Sequence, residues 1–468
     1  MTIVPIGKIN LQVKMQEKRA EYLEEVEEEL GRAVKEVIKS SLERLLDAEL
    51  EHMLRRAHYR RRKKIARHET EHGKCNRCQS RNVQNYRRNG HRWRELDTKW
   101  GHMRIGVPQV ECVCGGAVHV NWQLLKDRQR IWDDVEVDIR AEYGWGLSLR
   151  QIKMRYDGLL GGSLGLRTLN ERILAMKQGA LAWPERTLPG KAPVIQVDGL
   201  WFTIMVATGE TQKDAKGRMR AVKTGKRLPI LVAQGIWPDT ERKEVLCWVI
   251  GEAEDQASWQ ELLYKLGRMG YRADDLRLLI CDGSPGFEAA RQTVFPLVPL
   301  QRCIFHKIRN FIHAIVVPPD LDRKAAREFR QPFIEQVCAI WQAEHEGQAR
   351  KIHNALCQQW AKEQPKAVAV LQRDFDLTLT FYQVRRDAAE RGLAWRPTFL
   401  RTTSHLEREN RNFRTRLRKA VVFHSRDGLS AAIYQNLFLR SAARSPDTAA
   451  HWQSLLERQI RPVLNFLT

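Results

Sequence analysis

The stretch that decides the fold is residues 276–310, LRLLICDGSPGFEAARQTVFPLVPLQRCIFHKIRN. The apolar run at 276–281 predicts a buried strand that ends on an acid, Asp282. Gly283 and Ser284 then favour a turn, and a short helix follows. A second apolar strand closes on Gln301-Arg302-Cys303, with His306 one helical turn further on. Open α/β sheets place their chemistry at the carboxyl ends of strands. Asp282 is therefore the candidate ligand for a divalent metal over a phosphate.

Working outward from this stretch, residues 194–197 read as a strand leading to Asp198. Further strands are expected at 201–207, 229–235 and 245–250, and a helix at 258–268 feeds the strand that ends at Asp282. Strands, helix, strand, with acids at two strand ends, suggest a ribonuclease-H-like α/β core whose first part covers 194–306. Residues 307–400 are almost wholly helix-compatible, with Trp341, Trp360 and Phe381 as anchors, and read as an all-helical insertion. The core resumes at 401–468. On a helix there, Glu407, Arg411, Arg414 and Arg418 share one face, with Arg408 nearby, while Leu406, Asn410, Phe413 and Leu417 form an adjacent, mostly apolar stripe. The planar fork of arginine suits phosphate oxygens.

Asp198, Asp282 and Glu407 are separated by 282 − 198 = 84 and 407 − 282 = 125 residues. Breaking or transferring a phosphodiester needs an activated oxygen nucleophile and a stabilised leaving oxygen. Two Mg²⁺ (or Mn²⁺) ions held by carboxylates supply both. Each acid also has a plainer reading. Asp198-Gly199 makes a turn, Asp282 caps the helix after it, and Glu407 completes a capping box with Ser404. Glu409 competes with Glu407, but on a helix it points roughly 200° away. Cys303-x-x-His306 offers two ligands where a zinc site needs four. A packing and hydrogen-bonding role that braces the strand beside Asp282 is the preferred reading, with assistance to DNA binding as the other.

Lysine and arginine exceed aspartate and glutamate by 79 − 56 = +23 over 468 residues. A chain this basic usually meets a polyanion, most simply nucleic acid. The length accommodates about three domains. No run is long and apolar enough to span a membrane, and no signal-peptide core opens the chain. Single cysteines in apolar contexts suit a reducing cytoplasm. Residues 1–68 combine a helix, serving dimerisation or packing on its own domain, with a basic run that includes Arg60, Arg61, Arg62 and Lys63. Residues 69–125 carry Cys75-x-x-Cys78 and Cys112-x-Cys114, the paired thiolates of a structural Zn²⁺ site, with His72 and His119 as substitutes. A small antiparallel sheet is expected between them, with turns at Asn89-Gly90 and Trp100-Gly101. Arg88 and Arg92 flank the first turn as a basic tip. Residues 126–188 show short helix, glycine turn, short helix, a helix-turn-helix-like unit with Ser148 as a helix cap and Arg150 beside it. Residues 188–193 read as a linker. The fold class is multidomain α+β: a helical, zinc-stapled N-terminal DNA-binding region followed by the α/β core with its helical insertion.

Ser258-Trp259-Gln260-Glu261-Leu262-Leu263, then Leu279-Ile280-Cys281-Asp282-Gly283, then Gln301-Arg302-Cys303 with His306-Lys307 and Arg309-Asn310, closely resemble the mutator-type transposases of bacterial insertion sequences. Leu406-Glu407-Arg408 and Asn410-Arg411 resemble that family's glutamate helix. Arg88-Asn89-Gly90 and residues 143–152 fit its DNA-binding part. The resemblance implies a DDE recombinase, Mg²⁺-dependent, with Asp198, Asp282 and Glu407 as the triad and Cys303 and His306 in the family's Cys-x-x-His motif. Asp198 lies in a looser match than the other two acids. The paired cysteines are not general in the mutator type, and resemble zinc-bearing N-termini of other insertion-sequence transposases. The expected activity is binding of an element's terminal inverted repeats, cleavage, and strand transfer into target DNA, by a homodimer or larger assembly. The rivals are a DNA-binding regulator with an inactive core and a metal-dependent nuclease without strand transfer.

Overall fold

The computed structural model of the chain describes residues 6–57, 67–162, 164–417 and 422–442. The chain divides into two compact units, one of residues 1–173 with 438–468, the other of residues 174–437. The basic run from Arg60 to Lys63, and Arg418, lie outside the described residues.

The first unit begins with the long helix α1 (Ile6–Leu54), followed by β1 (Gly73–Cys75), β2 (Tyr86–Thr98), β3 (Gly101–Cys112) and β4 (Val118–Val120). Leu42, Leu46, Leu50, Met53 and Leu54, spaced by three and four, put one face of α1's last turns into the β-hairpin core. Nearer its start, Leu23, Leu30 and Val37 stay exposed at seven-residue intervals. So, among its described side chains, the helix is packed on its own domain toward its C-terminal end. β1 pairs with β4, and β2 with β3.

The hairpin departs from the sequence expectation. Its turn falls at Lys99-Trp100, but Asn89-Gly90 is no turn. The strand runs through it with one extra residue between Arg88↔Val110 and His91↔Pro108. Pro108 has no N–H to give the ladder, and Gly90 takes the left-handed conformation (φ 68°) that a bulge needs. Helices α2 (Asp133–Gly144), α3 (Leu149–Leu160) and α4 (Leu166–Ala175) follow. Ser148 caps α3 in a reciprocal box with Gln151, as the sequence expects, and Gly161 ends it.

The second unit starts with α5 (Lys177–Ala182). Trp183 just after it donates its indole N–H to the Val245 carbonyl at 3.0 Å. The sheet strands are β5 (Val194–Lys213), β6 (Met219–Trp237), β7 (Arg242–Ile250), β8 (Leu278–Cys281) and β9 (Leu300–Arg302). Their order is β7-β6-β5-β8-β9. β5, β6 and β7 form an antiparallel meander, and β8 and β9 run parallel to β5. Helices α6 (Gln256–Arg268) and α7 (Pro285–Val294) cover one face through Trp259, Leu262, Leu263, Leu266 and Phe287. The other face meets α8 (Ile304–Ala314), α9 (Arg323–Gln342), α10 (Glu346–Trp360), α11 (Pro365–Gln372) and α12 (Thr380–Glu390). Their core holds Phe311, Trp341, Trp360 and Phe381, packed with Val194, Leu278 and Ile280 of the sheet. The glutamate-bearing helix α13 (Ser404–Leu417) and α14 (Arg426–Ala442) close the described chain.

One strand is longer than its sequence pattern suggests. β5 passes straight through Asp198-Gly199, which removes the turn reading there, and continues to Lys213 against β6. No helix among the described residues is long and apolar enough to cross a membrane.

Candidate active site

The parallel ladder runs Gln196↔Ile280 between β5 and β8, and Ile280↔Gln301 between β8 and β9. Two residues beyond each member of this row stand Asp198, Asp282 and Cys303. A step of two keeps a side chain on the same face of a strand. The register thus aims both aspartates and the cysteine at one side of the sheet: Asp282 and Cys303 just past the carboxyl ends of β8 and β9, and Asp198 where β5 runs on beyond its pairing with β8.

Helix α13 lies on that side, held by Gln196. The buried amide of Gln196 donates to the Thr402 carbonyl at 2.8 Å and accepts from the Leu406 N–H at 3.2 Å. Cys303 adds a second hold, its sulfur accepting from the backbone N–H of Thr403 at 3.3 Å. The Ile304 N–H donates to the Arg401 carbonyl at 3.0 Å. These contacts bring Glu407, one turn into α13, toward the aspartates. Its Oε1 lies 3.6 Å from His306 Nδ1 and accepts from Thr403 Oγ1 at 3.1 Å. The residue that starts α13 beside Glu407 is Thr403; Ser404 is already helical. Glu409 is buried two residues further along the helix and is not without interactions there.

Each aspartate spends one oxygen on its own backbone. Asp198 Oδ1 accepts from the Gly199 N–H at 2.9 Å, and Asp282 Oδ1 from the Ser284 N–H at 3.1 Å. Asp198 Oδ2 accepts from Asn410 Nδ2 at 2.7 Å, while the buried Asn410 Oδ1 has no partner. Burial, reinforced by the charges of Asp282 and Glu407, pushes Asp198 up to about 7, against the opposing hydrogen bond from Asn410. Burial also lowers the His306 pKa, although Glu407 and Asp282 pull the other way. Arg302 packs so closely over Gly283, itself at φ 96°, that a Cβ there would lie 2.3 Å from the guanidinium.

Three participants escape the sequence reading. Gln196 is a polar residue inside the apolar run VIQV, and Asn410 a polar one inside the apolar stripe of α13; those breaks in pattern are the signals that could have found them. The third is Glu254. It occupies the space beside Gly199 where a Cβ would meet its carboxylate at 3.2 Å. Burial and the charge of Asp282 raise its pKa, while a hydrogen bond with the Trp201 side chain opposes the rise. Nothing in GEAED marks it out. The Cys-x-x-His pair lies beside the glutamate of α13 as well as beside β8. Cys303, His306 and Glu407 bring ligand atoms within 4.8 Å of one another.

Among the proposed phosphate contacts, Arg408, Arg411 and Arg414 are exposed on α13, with no ion pair among the described residues. In the first unit Arg150 is exposed on α3. Arg92 lines a cleft of about 750 Å³ with Arg94, Arg128 and Arg130. Arg88 is instead engaged by α1, 3.5 Å from Asp47 and 3.4 Å from Glu51. The four cysteines converge: Cys75 and Cys114 sulfurs lie 3.5 Å apart, and Cys78 and Cys112 3.6 Å. All four sulfurs lie within 4.8 Å of one another, and neither His72 nor His119 belongs to the group. Disulfide sulfurs would sit near 2.05 Å. Four thiolates at about 2.3 Å from one zinc are spaced by about 3.8 Å. The Cys78 backbone N–H is the largest influence lowering the Cys75 thiol to about 6, despite its burial.

The mixed sheet thus carries Asp198 and Asp282 on the side where α13 brings Glu407, and the same helix exposes three guanidiniums. The chain is a transposase: it belongs to the Mutator family of transposases, whose profile matches residues 10–437. It is 28% identical over 341 residues to the transposase for insertion sequence element IS406 of Burkholderia multivorans, covering 72% of this chain and 77% of that one. It is 25% identical over 342 residues to the transposase for IS905 of Lactococcus lactis, covering 73% and 76%. Among solved structures, the Drosophila P element transposase strand transfer complex is similar at a TM-score of 0.38 and 10% identity, over 68% of this chain and 92% of that one.

The raised Asp198 has a consequence for stability without metal. Its folded pKa, about 7, lies above the unfolded value of about 3.9, so the ionised carboxyl costs stability increasingly as pH rises from about 4 to about 7, and fully above that. Asp198→Asn removes the cost. Melting metal-free protein in chelator should show the variant above the parent by a few degrees at pH 8, by less at pH 5, and level with it near pH 4. A margin independent of pH would contradict the raised pKa.

Proposed function

We propose that this transposase uses Asp198, Asp282 and Glu407 as a DDE triad on a ribonuclease-H-like core, interrupted by the helical insertion α8–α12. The carrying observation is the row Gln196–Ile280–Gln301, two residues beyond which both aspartates emerge on the face where Gln196 holds the start of the Glu407 helix. The strand order, a three-stranded meander with two parallel strands added beside its first member, supports the same core.

Three carboxylates on one side of the sheet suit Mg²⁺ or Mn²⁺, which prefer hard oxygen ligands, and the orphaned Asn410 Oδ1 leaves a further acceptor there; the acids act on one another through their charges, but their oxygens do not gather within the 4.8 Å that unites Cys303, His306 and Glu407. Asp198, Asp282 and Glu407 would hold the divalent ions, two per site, which when bound would supply Lewis-acid activation of the attacking oxygen and charge stabilisation at the leaving oxygen. Asn410 fixes the Asp198 carboxylate by its 2.7 Å hydrogen bond, and His306, its proton affinity lowered by burial, shields Glu407 without neutralising it. Arg408, Arg411 and Arg414 steady the phosphates. Water first attacks the phosphodiester at the element's end, releasing a 3′-OH. That hydroxyl then attacks a target phosphodiester, forming one P–O bond as another breaks. The first unit reads the terminal inverted repeats through the Arg92 cleft and the α2–α4 helices around Arg150, and the exposed seven-residue stripe of α1 serves dimerisation.

A plasmid carrying the element's own ends, incubated with protein and Mg²⁺, tests this reading. Asp198→Asn, Asp282→Asn and Glu407→Gln should each reduce joined product about a thousand-fold or more, which corresponds to roughly 4 kcal/mol, with end binding kept. Free cut ends without joined molecules would favour a nuclease. Binding by the parent without any cutting would favour a regulator.

The cysteine cluster is proposed as a structural Zn²⁺ site that ties β1 and the end of β3 together. Metal analysis of protein purified without chelator should find about one zinc per chain. Cys112→Ser should lose it and melt the first unit at lower temperature. Full-length protein with four freely titrating thiols and no zinc would contradict the site.

A further inference from the structure

Beyond Leu200 and Ile230 the β5–β6 pair leaves the sheet. β8 pairs with β5 only over residues 194–196, and β7 with β6 only over residues 230–237. Past a single bridge from Ile204 to Phe423, the two strands run on together to Lys213↔Met219. Residues 207–213 and 223–227 are exposed, as are 219–221. A two-stranded ribbon with neither face buried adds nothing to a core and is marginal by itself.

Its composition is lopsided. Residues 203–227 hold Lys213, Lys216, Arg218, Arg220, Lys223, Lys226 and Arg227 against Glu210 and Asp214, so 7 − 2 = +5. Asp214 is used up in shaping the tip. It accepts from the backbone N–H of Lys216 at 2.9 Å and of Arg218 at 3.0 Å, and from Arg220 Nε at 2.7 Å. Gly217 closes the turn at φ 72°. The acid thus fixes a tip that projects Lys216 and Arg218, which have no ion pair among the described residues; nor have Lys213, Lys223 and Arg227. The outer ribbon offers no aromatic side chain and little apolar surface, so it lacks the core of a protein–protein contact. A two-stranded ribbon fits the major groove of duplex DNA, and its cations match phosphates.

We infer that the ribbon of residues 207–227 is a second DNA-contacting arm, which grips duplex beyond the cleavage point. The inference rests on the triad reading, because β5 carries both Asp198 and the arm. At about 3.3 Å per strand residue, the exposed part of β5 begins roughly 30 Å and ends roughly 50 Å from Asp198. At about 3.4 Å per base pair that reaches roughly 9–15 base pairs from the cut.

The experiment uses full-length protein and a duplex carrying one element end with its flank. Affinity is titrated across salt, and phosphates are mapped by ethylation interference, for the parent and for Lys213→Ala/Lys216→Ala/Arg218→Ala/Lys223→Ala together. At about 0.9 per phosphate contact, the salt slope should become shallower by about three to four. Interference roughly 9–15 base pairs from the cut should fade. A second variant, Lys213→Arg/Lys216→Arg/Lys223→Arg, should keep the parental slope, which separates lost charge from lost folding. Unchanged slope and footprint, in a preparation whose parent still cuts the duplex, overturn the arm and leave the triad standing. Loss of self-association at unchanged slope overturns it in favour of a contact between copies. A parent that neither binds nor cuts overturns the triad reading, and the arm with it.

Discussion

The second unit depends on one buried amide. Gln196 sits in the middle of the sheet, where an unsatisfied polar group costs about 1–3 kcal/mol, and it avoids that cost by bonding the Thr402 carbonyl and the Leu406 N–H. Those two backbone groups flank the start of α13, so satisfying Gln196 and positioning Glu407 are the same event. Cys303 repeats the device from β9's end. The acids come from positions far apart in the chain, and two side chains that are not acids bring them together.

That arrangement also sets the local electrostatics. Packing α13 over the sheet helps enclose Asp198 and brings the charge of Glu407 to it, beside that of Asp282, which raises its pKa. Repulsion of this kind is what a bound divalent cation relieves. Asn410, from the same helix, partly offsets it in the protein alone. Glu254, behind Gly199, adds a fourth carboxylate to the field and is itself raised by Asp282. The exposed guanidiniums of α13 share their helix with the Glu407 carboxylate, so the proposed metal ligand and the proposed phosphate contacts are carried on one element.

Much of this was legible in the sequence, and the limits have physical causes. Strands β8 and β9 announced themselves because they are buried on both faces and read as apolar runs. The helices of residues 133–175 were legible from caps and glycines, and the cysteine pairs from their spacing. What failed was what pattern does not encode. Asn89-Gly90 has turn chemistry, but Pro108 opposite converts it to a bulge. The outer half of β5–β6 is exposed on both faces, so it lacks the alternation that marks a strand. Arg88 looked like a free cation because its partners, Asp47 and Glu51, are about forty residues away in sequence. Gln196 was invisible as a clamp because its partners lie on α13, more than two hundred residues later.

The most direct test asks whether the three acids share one metal site and whether Gln196 makes them do so. Fe²⁺ substituted for Mg²⁺, with ascorbate and peroxide, cuts a polypeptide beside the residues that hold the iron. The account predicts three cuts in the parent chain, near residues 198, 282 and 407, all suppressed by excess Mg²⁺. It predicts that Gln196→Leu keeps the first two and loses the third. A parent cut near 409 and not 407, or a Gln196→Leu chain cut like the parent, would contradict it.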